Sequence, residues 1–374
     1  MVIQCNNFSN ISLYVHWPFC LSKCPYCDFN SHVRETYQEA EWQQALCAEL
    51  QRVRDWIGPR FLTTIFFGGG TPSLMQPKTV EAIITEATKL WKTSSNLEIT
   101  LEANPNSVEV DKFQQLATAG INRISIGVQS LRPERLQSLG RKHSVNEAIK
   151  AIHTAQATFK RVSFDLIYAT PNQTIEEWSQ ELEEALAFCT EHLSLYQLTI
   201  EPNTAFERLH AQGELILPID DLAADMYELT NAKCAVHGLQ AYEVSNYAKP
   251  GTECRHNLAY WNYGEYIGVG PGAHGRLIVD DKRFATRQYR TPERWLKELI
   301  RDEECLELSD IEQEQERVLM GLRTTQGITW DKPITSKIQT LIDEKFLRHA
   351  DGRLIATAKG RLALQAVLRY GFMD

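Results

Sequence analysis

Short apolar runs alternate with longer stretches whose apolar positions recur every three or four residues, and this rhythm holds over the first two hundred residues. The runs at 11–17, 63–67, 97–102, 122–128, 162–167 and 193–200 predict strands, being brief, rich in β-branched and aromatic residues, and bounded by glycine, proline or polar clusters. The stretches between them, 37–56, 80–91, 110–119, 145–158 and 175–189, predict helices. In the first of these, Trp42, Ala45, Leu46, Leu50 and Val53 share one face. Strands that alternate with helices imply a parallel sheet with right-handed crossovers. Six such units fall short of a closed eight-fold barrel. The expected architecture is therefore α/β, an open, partial, TIM-like (β/α)6 barrel over residues 1–240.

From about 202 to 290 the rhythm weakens and Tyr, Trp and Gly accumulate, so residues 241–308 are expected to form an irregular connecting region. It resumes near 309 as helix 311–323, helix 334–346, hairpin 347–356 and helix 358–370, the order of a mainly helical, winged-helix-like module over 309–374. Residues 310–374 carry ten Lys or Arg against nine Asp or Glu. A DNA-reading module would be more basic, so a lid or docking role is expected and nucleic acid is not.

Composition narrows the class further. The chain has 374 residues, 43% of them hydrophobic and 23% charged, which excludes a disordered chain, a collagen repeat and a coiled-coil rod. A net charge of −9 offers no basic footprint for DNA or an anionic membrane. No run approaches the roughly 18 apolar residues of a membrane span. The opening MVIQCNNFSN has the character of neither a signal nor a transit peptide. Nine cysteines, an odd count, argue against a secreted disulfide framework. A reducing cytoplasm is expected, and there a cysteine cluster reads first as a metal site.

Such a cluster follows the first predicted strand: Cys20-Leu-Ser-Lys-Cys24-Pro-Tyr-Cys27. Three thiolates at this spacing can hold three corners of a cubane iron–sulfur cluster, leaving one iron open to a chelating substrate. A zinc knuckle is the alternative, with His16 or His32 as fourth ligand. The remaining cysteines, Cys5, Cys47, Cys189, Cys234 and Cys305, are scattered singly and read as ordinary small residues. Further chemistry gathers at the C-terminal ends of the predicted strands, where parallel β/α barrels build their sites. Gly68-Gly69-Gly70-Thr71 ends the second, Glu102 the third and Gln129 the fourth, with Arg141 following; the fifth carries Asp165.

The C-x3-C-x2-C loop, with Tyr26 immediately before its last cysteine, resembles the signature of the radical S-adenosylmethionine (SAM) superfamily. The resemblance implies a 4Fe–4S cluster on Cys20, Cys24 and Cys27. It also implies SAM on the open iron, a glycine turn that holds the SAM methionine moiety, and reductive cleavage to a 5′-deoxyadenosyl radical. YVHWPFC, GGGTPS, EANP, RISIGVQS and YQLTIEPNT are similar, over most of the chain, to the oxygen-independent coproporphyrinogen III oxidase family. On that likeness Tyr14, Gly69 and Glu102 contact the cluster-bound SAM. Tyr26, Gly70, Thr71, Gln129, Arg141 and Asp165 fall where the oxidase lines a second SAM pocket.

Two departures turn the reading away from porphyrinogen decarboxylation. Phe29 stands where the oxidase has a fourth cysteine, and only nineteen residues precede Cys20, too few for the oxidase's N-terminal cover. CPYCDFNSH and the His-Asn-x-x-Tyr-Trp of His256, Asn257, Tyr260 and Trp261 are instead similar to a branch of heme chaperones. This implies that the protein binds heme and delivers it to heme-accepting respiratory proteins, in transient contact with membrane-bound partners where recipients are embedded. The cluster and SAM would then gate conformation or transfer rather than drive turnover. A neutral imidazole is a common axial ligand to heme iron. His256 is the expected ligand, with Cys254 and His274 as rivals, and Tyr260 and Trp261 either cover the macrocycle or simply pack.

Overall fold

The computed structural model describes residues 8–34 and 36–373. Cys5 lies outside them. The six expected strands all form: β1 (Asn10–Trp17), β2 (Phe61–Gly69), β3 (Lys92–Ala103), β4 (Arg123–Gln129), β5 (Arg161–Tyr168) and β6 (His192–Gln197). Each pairs in parallel with the next, as in Leu13 against Ile65 and Leu101 against Ile124. The last expected strand ends early, since Leu198–Ile200 leave the ladder at the rim of the barrel. Ile11, Leu13, Val15, Leu62, Ile65 and Phe67 are buried, consistent with parallel strands covered on both faces.

The crossover helices α1 (Glu39–Ile57), α2 (Pro77–Leu90), α3 (Val145–Thr158) and α4 (Ile175–Leu186) lie where expected. α3 and α4 start at capping boxes, in which Ser144 and Thr174 accept from the third helical N–H while Glu147 and Glu177 reach back. Two expected helices differ. The stretch 110–119 is broken into Ser107–Val110 and Phe113–Thr118. α4 stops at Leu186, and Cys189 beyond it takes a positive φ of 56°, a conformation no helix continues.

The larger correction concerns the stretch from 202, where the rhythm weakens, through 241–308, expected to be irregular. It contains a 17-residue helix, α5 (Asp220–Val236), whose buried stripe of Ala223, Met226, Tyr227, Thr230 and Cys234 mixes small and polar residues and so hides its period. It also supplies half of a twelve-stranded sheet, counted among the described residues: β7 (Gln240–Ala241), β8 (Asn246–Ala248), β9 (Glu265–Val269), β10 (His274–Val279), β11 (Lys282–Gln288) and β12 (Asp302–Glu307). β9 pairs in parallel with β1, so seven parallel strands, not six, form the open barrel. β10, β11 and β12 extend it antiparallel at that edge, while β8 and β7 extend it beyond β6. Asp280 and Asp281, both at positive φ, make the two-residue turn between β10 and β11.

A short helix, α6 (Arg255–Trp261), closes the barrel floor at the N-terminal ends of the strands, where His256 bonds Thr64 and its backbone N–H meets Glu98. The C-terminal module begins at α7 (Asp310–Gly321), again on a capping box, and has its own core of Val318, Leu322, Ile338, Leu341, Leu354 and Val367. Its second helix, Ser336–Asp343, leads into a hairpin of Leu347–Ala350 and Arg353–Ala356 that adds Ile328–Thr329 to make a three-stranded wing. The expected last helix breaks at Ala363 into Ala358–Leu362 and Leu364–Phe372. Glu316 clamps Arg276 and Tyr263, and Arg323 bonds Glu243 and lies over the Trp261 ring, which seats the module under the floor. No helix among the described residues is long and apolar enough to cross a membrane.

Candidate functional site

At the opposite, C-terminal end of the strands lies a cleft of about 750 Å³. Every residue expected to hold the cluster or SAM lines it except Tyr14: Cys20, Cys24, Cys27, Tyr26, Gly69, Gly70, Thr71, Glu102, Gln129, Arg141 and Asp165. Tyr14 sits beneath, with its hydroxyl 3.1 Å from His16 Nδ1, and a Cβ on Gly68 would touch both its ring and Glu102.

The cysteine loop is held from both sides. Phe19–Cys20 pairs in parallel with His32–Val33, and Asn30 Nδ2 donates to the carbonyls of Pro271 and Arg290, each at 2.8 Å. His16 contributes a further contact at 2.9 Å from Nε2 to the Asn30 carbonyl. The glycine-rich turn 270–273 between β9 and β10 therefore buttresses the cysteine loop. Asn30 was not singled out by sequence, because its partners lie 241 and 260 positions away.

Glycine is required in the β2 turn for close approach. Gly69 has φ of 107°, and a Cβ there would lie 2.6 Å from the His16 ring. A Cβ on Gly70 would lie 2.7 Å from the Phe19 carbonyl oxygen, a backbone atom that cannot yield. The Gly70 and Thr71 amides donate to the carbonyls of Trp17 and Phe19, which fastens the turn to the cysteine loop.

The donors around the sulfurs suit thiolates. Thr71 Oγ1 donates to Cys20 Sγ at 3.4 Å and the Arg141 guanidinium to Cys24 Sγ at 3.5 Å; Ser31 Oγ lies 3.8 Å from Cys27 Sγ. Such donors would orient and tune a cluster bound to the three sulfurs. Among the described residues, no group of three or more His, Cys, Asp or Glu side chains is arranged to hold a single metal ion. His16, one proposed fourth zinc ligand, has both ring nitrogens engaged by Tyr14 and Asn30.

Two carboxyls face each other across the cleft floor. Burial pushes Glu102 up to about 8, helped by the charge of Asp165. Burial also raises Asp165, to about 6, against hydrogen bonds from Ser194 and Ser125. Buried carboxyls whose proton affinity is raised in this way can hold a cationic group of a ligand once ionised. Ser125 and Tyr196 join the lining, and Asn104 and Glu109 connect its walls; sequence reading missed all four.

The residues expected at the heme iron are elsewhere. His256, Asn257, Tyr260 and Trp261 all lie on α6, at the opposite end of the barrel from the cysteines. His256 is buried, with Nδ1 2.8 Å from Thr64 Oγ1 and its ring stacked on Phe66, and burial pushes it down to about 4, so the imidazole is neutral. Of the rivals, Cys254 is buried with its thiol 3.7 Å from Glu98, and burial raises it to about 11; His274 is exposed at the start of β10.

A partial β/α barrel carrying C-x3-C-x2-C at the cleft end of its first strand defines a radical SAM protein, and the model of the Radical SAM superfamily matches residues 14–185. Among curated proteins, the chain is 45% identical over 273 residues to "Heme chaperone HemW" of Haemophilus influenzae, covering 71% of this chain and 70% of that one. The protein of the same name from Bacillus subtilis is 32% identical and aligns over 94% of this chain and 96% of its own. "Radical S-adenosyl methionine domain-containing protein 1, mitochondrial" of Mus musculus is 40% identical over 85% of this chain and 74% of its length. The solved coproporphyrinogen III oxidase (HemN) of Escherichia coli superposes with a TM-score of 0.80 over 98% of this chain and 90% of that one, at 21% identity, a likeness of fold. The chain belongs to the HemW family of the radical SAM superfamily.

Proposed function

We propose that this protein is a heme chaperone that carries a 4Fe–4S cluster and SAM in its cleft, binds heme, and passes it to proteins that require it. The observation that carries the reading is the kinship just described with proteins named heme chaperones, one of them aligned end to end. Phe29, 59% exposed at the cleft mouth, supports it against porphyrinogen oxidation by standing where the oxidase places a cysteine. Cys20, Cys24 and Cys27 hold the cluster in this reading, and the glycine turn with Glu102 receives SAM. Bound there, a cluster with an open iron supplies one-electron chemistry at the SAM sulfonium. Tyr26, Gln129, Arg141 and Asp165 shape the rest of the pocket, and Tyr14 supports Glu102 from below. Recipients are respiratory heme proteins, met in a reducing compartment such as the cytoplasm, with transient contact where they are embedded in a membrane.

His256 is the proposed iron ligand. In the tautomer whose Nδ1–H donates to Thr64, the neutral ring keeps its lone pair on Nε2. Because the ring is buried, ligation requires α6 to move from the floor, carrying Asn257, Tyr260 and Trp261 with it. The test is an anaerobic heme titration of cluster-loaded protein, read at the Soret band. Saturable one-to-one binding that His256→Ala loses is the expected result. Binding that survives in the variant moves the ligand to Cys254 or His274, and wild type that does not saturate overturns the chaperone reading.

The carboxyl pair gives a pH signature. Glu102 is held at about 8, above the ordinary carboxylate value, so between those pH values the folded protein keeps a proton that the unfolded chain releases. Stability of the SAM-free protein therefore falls as pH rises through that window. SAM, bringing a sulfonium charge, favours the ionised carboxyl. Its binding should release protons near pH 7 and weaken by up to about tenfold per pH unit below 8. Calorimetry in two buffers of different ionisation enthalpy reads the release. Glu102→Gln should abolish it, bind SAM more weakly, and unfold at higher temperature than wild type at pH 8. Equal proton release in both proteins would remove Glu102 from the SAM site.

A further inference from the structure

The donors that reach Cys20 and Cys24 converge on one side chain, Asn104. Its Nδ2 donates to Thr71 Oγ1 at 3.2 Å, and its Oδ1 accepts from Arg141 at 2.6 Å. Behind it, the buried Glu109 carboxylate accepts from the Asn104 backbone N–H at 2.8 Å and from Nδ2 at 3.4 Å, and also collects Ser73 and Asn106. The chemistry fixes the direction of every bond in this chain. Arg141 can only donate, so the amide oxygen must face it; Glu109 accepts, so the amide nitrogen must face the other way. Thr71 thus receives a proton from Asn104 on its oxygen, and its own proton is left to point at Cys20 Sγ. One asparagine aims a hydroxyl at one thiolate and anchors a guanidinium on another.

We propose that Asn104, backed by Glu109, is a positioning residue that sets the reduction potential of the cluster by holding Thr71 and Arg141 on the sulfurs of Cys20 and Cys24. The inference rests on the cluster assignment in the proposed function and deepens it. Reduction adds negative charge to the cluster and its thiolates, and hydrogen bonds to those sulfurs stabilise the reduced form. Each donor that is held in place raises the potential, the charged guanidinium most. Polarisation along Asn104, Thr71 and Cys20 strengthens the terminal bond. Arg141 has a second anchor in the Gly127 carbonyl at 2.8 Å, whereas Thr71 takes its side-chain donor from Asn104, so the Cys20 arm depends on Asn104 more heavily. Asn104 touches neither sulfur and works through its two neighbours.

The test is a redox titration of the full-length protein, reconstituted anaerobically with iron and sulfide, with the reduced fraction read by electron paramagnetic resonance. Asn104→Leu keeps the number and branching of the side-chain heavy atoms and removes both amide groups. It should retain wild-type iron and sulfide content while its midpoint moves to a more negative potential. Thr71→Val should move it the same way, and the double variant should shift by less than the sum, because one residue acts through the other. An unchanged midpoint in loaded Asn104→Leu overturns the proposal, since a purely structural asparagine would alter stability and leave the potential alone. Should that variant not take up a cluster, Glu109→Gln answers instead: it must move the midpoint in the same direction, and no shift there overturns the proposal equally. Wild-type protein that binds no cluster overturns the proposed function itself, a result distinct from a loaded wild type and variant with equal potentials.

Discussion

Cys24→Ala is expected to lose essentially all iron and acid-labile sulfide after anaerobic reconstitution while remaining folded. Three thiolates are the minimum that this cleft supplies, and two leave two irons without a protein ligand. Binding and local folding are linked at such sites, so loss of one ligand is not graded across the other two. Cys24 is a cleaner position than Cys20 because its side chain is only half-buried, whereas Cys20 is packed beneath Thr71 in a strand. Truncation at 24 leaves no sizeable cavity, and Arg141 keeps its bonds to Asn104 and Gly127. Thermal unfolding of the unloaded variant should match that of unloaded wild type. Iron and sulfide at wild-type levels in Cys24→Ala would show that the cluster sits on other residues.

Glu98→Ala should be the most damaging single change to stability, and it acts at the other end of the barrel. The carboxylate is buried on the floor, where it pairs with Arg161 and Arg255, accepts the His256 backbone N–H at 3.1 Å, and lies beside Arg123. Arg123 is itself fully buried, with an Nε that meets no hydrogen-bond partner. Removing this carboxylate strips the buried Arg123 of one of its compensating charges, while Arg161 keeps Glu191, a loss of about 3 kcal/mol. Urea unfolding at pH 7, compared by midpoint and slope, measures it, and a midpoint within error of wild type would show that the floor network carries no net stability. Burial pushes the Glu98 carboxyl up, but Arg123 and Arg161 with two backbone N–H groups hold it below its ordinary value. Its contribution is therefore present above the unfolded carboxylate pKa and drains away as pH falls below it. Because α6 starts at this carboxylate, Glu98→Ala should also loosen the helix that carries His256.

The two ends of the barrel differ in how far they could be read from the chain alone. The cleft end is built from signals that are local in sequence. Cys20, Cys24 and Cys27 fall within eight residues, the glycine turn directly follows its strand, and Glu102, Gln129 and Asp165 each sit at or near a strand's end. Parallel strand ends converge on one rim, so knowing the strands was enough to know which side chains meet. Continuous apolar runs and helical periodicity make those strands and helices visible for the same reason: both act over a few residues.

What stayed hidden depends on pairings between distant segments. β9 completes the parallel sheet only because it returns beside β1, with Leu13 opposite Ile267, and its five residues carry no mark of that destination. The roles of Asn30 and Asn104, which in the sequence stand only within larger motifs, emerge when the fold brings Pro271 to one, and Thr71 and Arg141 to the other. The family resemblance points to His256 as a ligand of iron, yet only packing shows it beneath the barrel, bonded to Thr64 and stacked on Phe66. Local spacing specifies which groups are present and how their own element presents them. Which of them face one another, which are buried, and which must move to be used follow from long-range burial and hydrogen bonding, and these exist only once the sheet has closed over its floor.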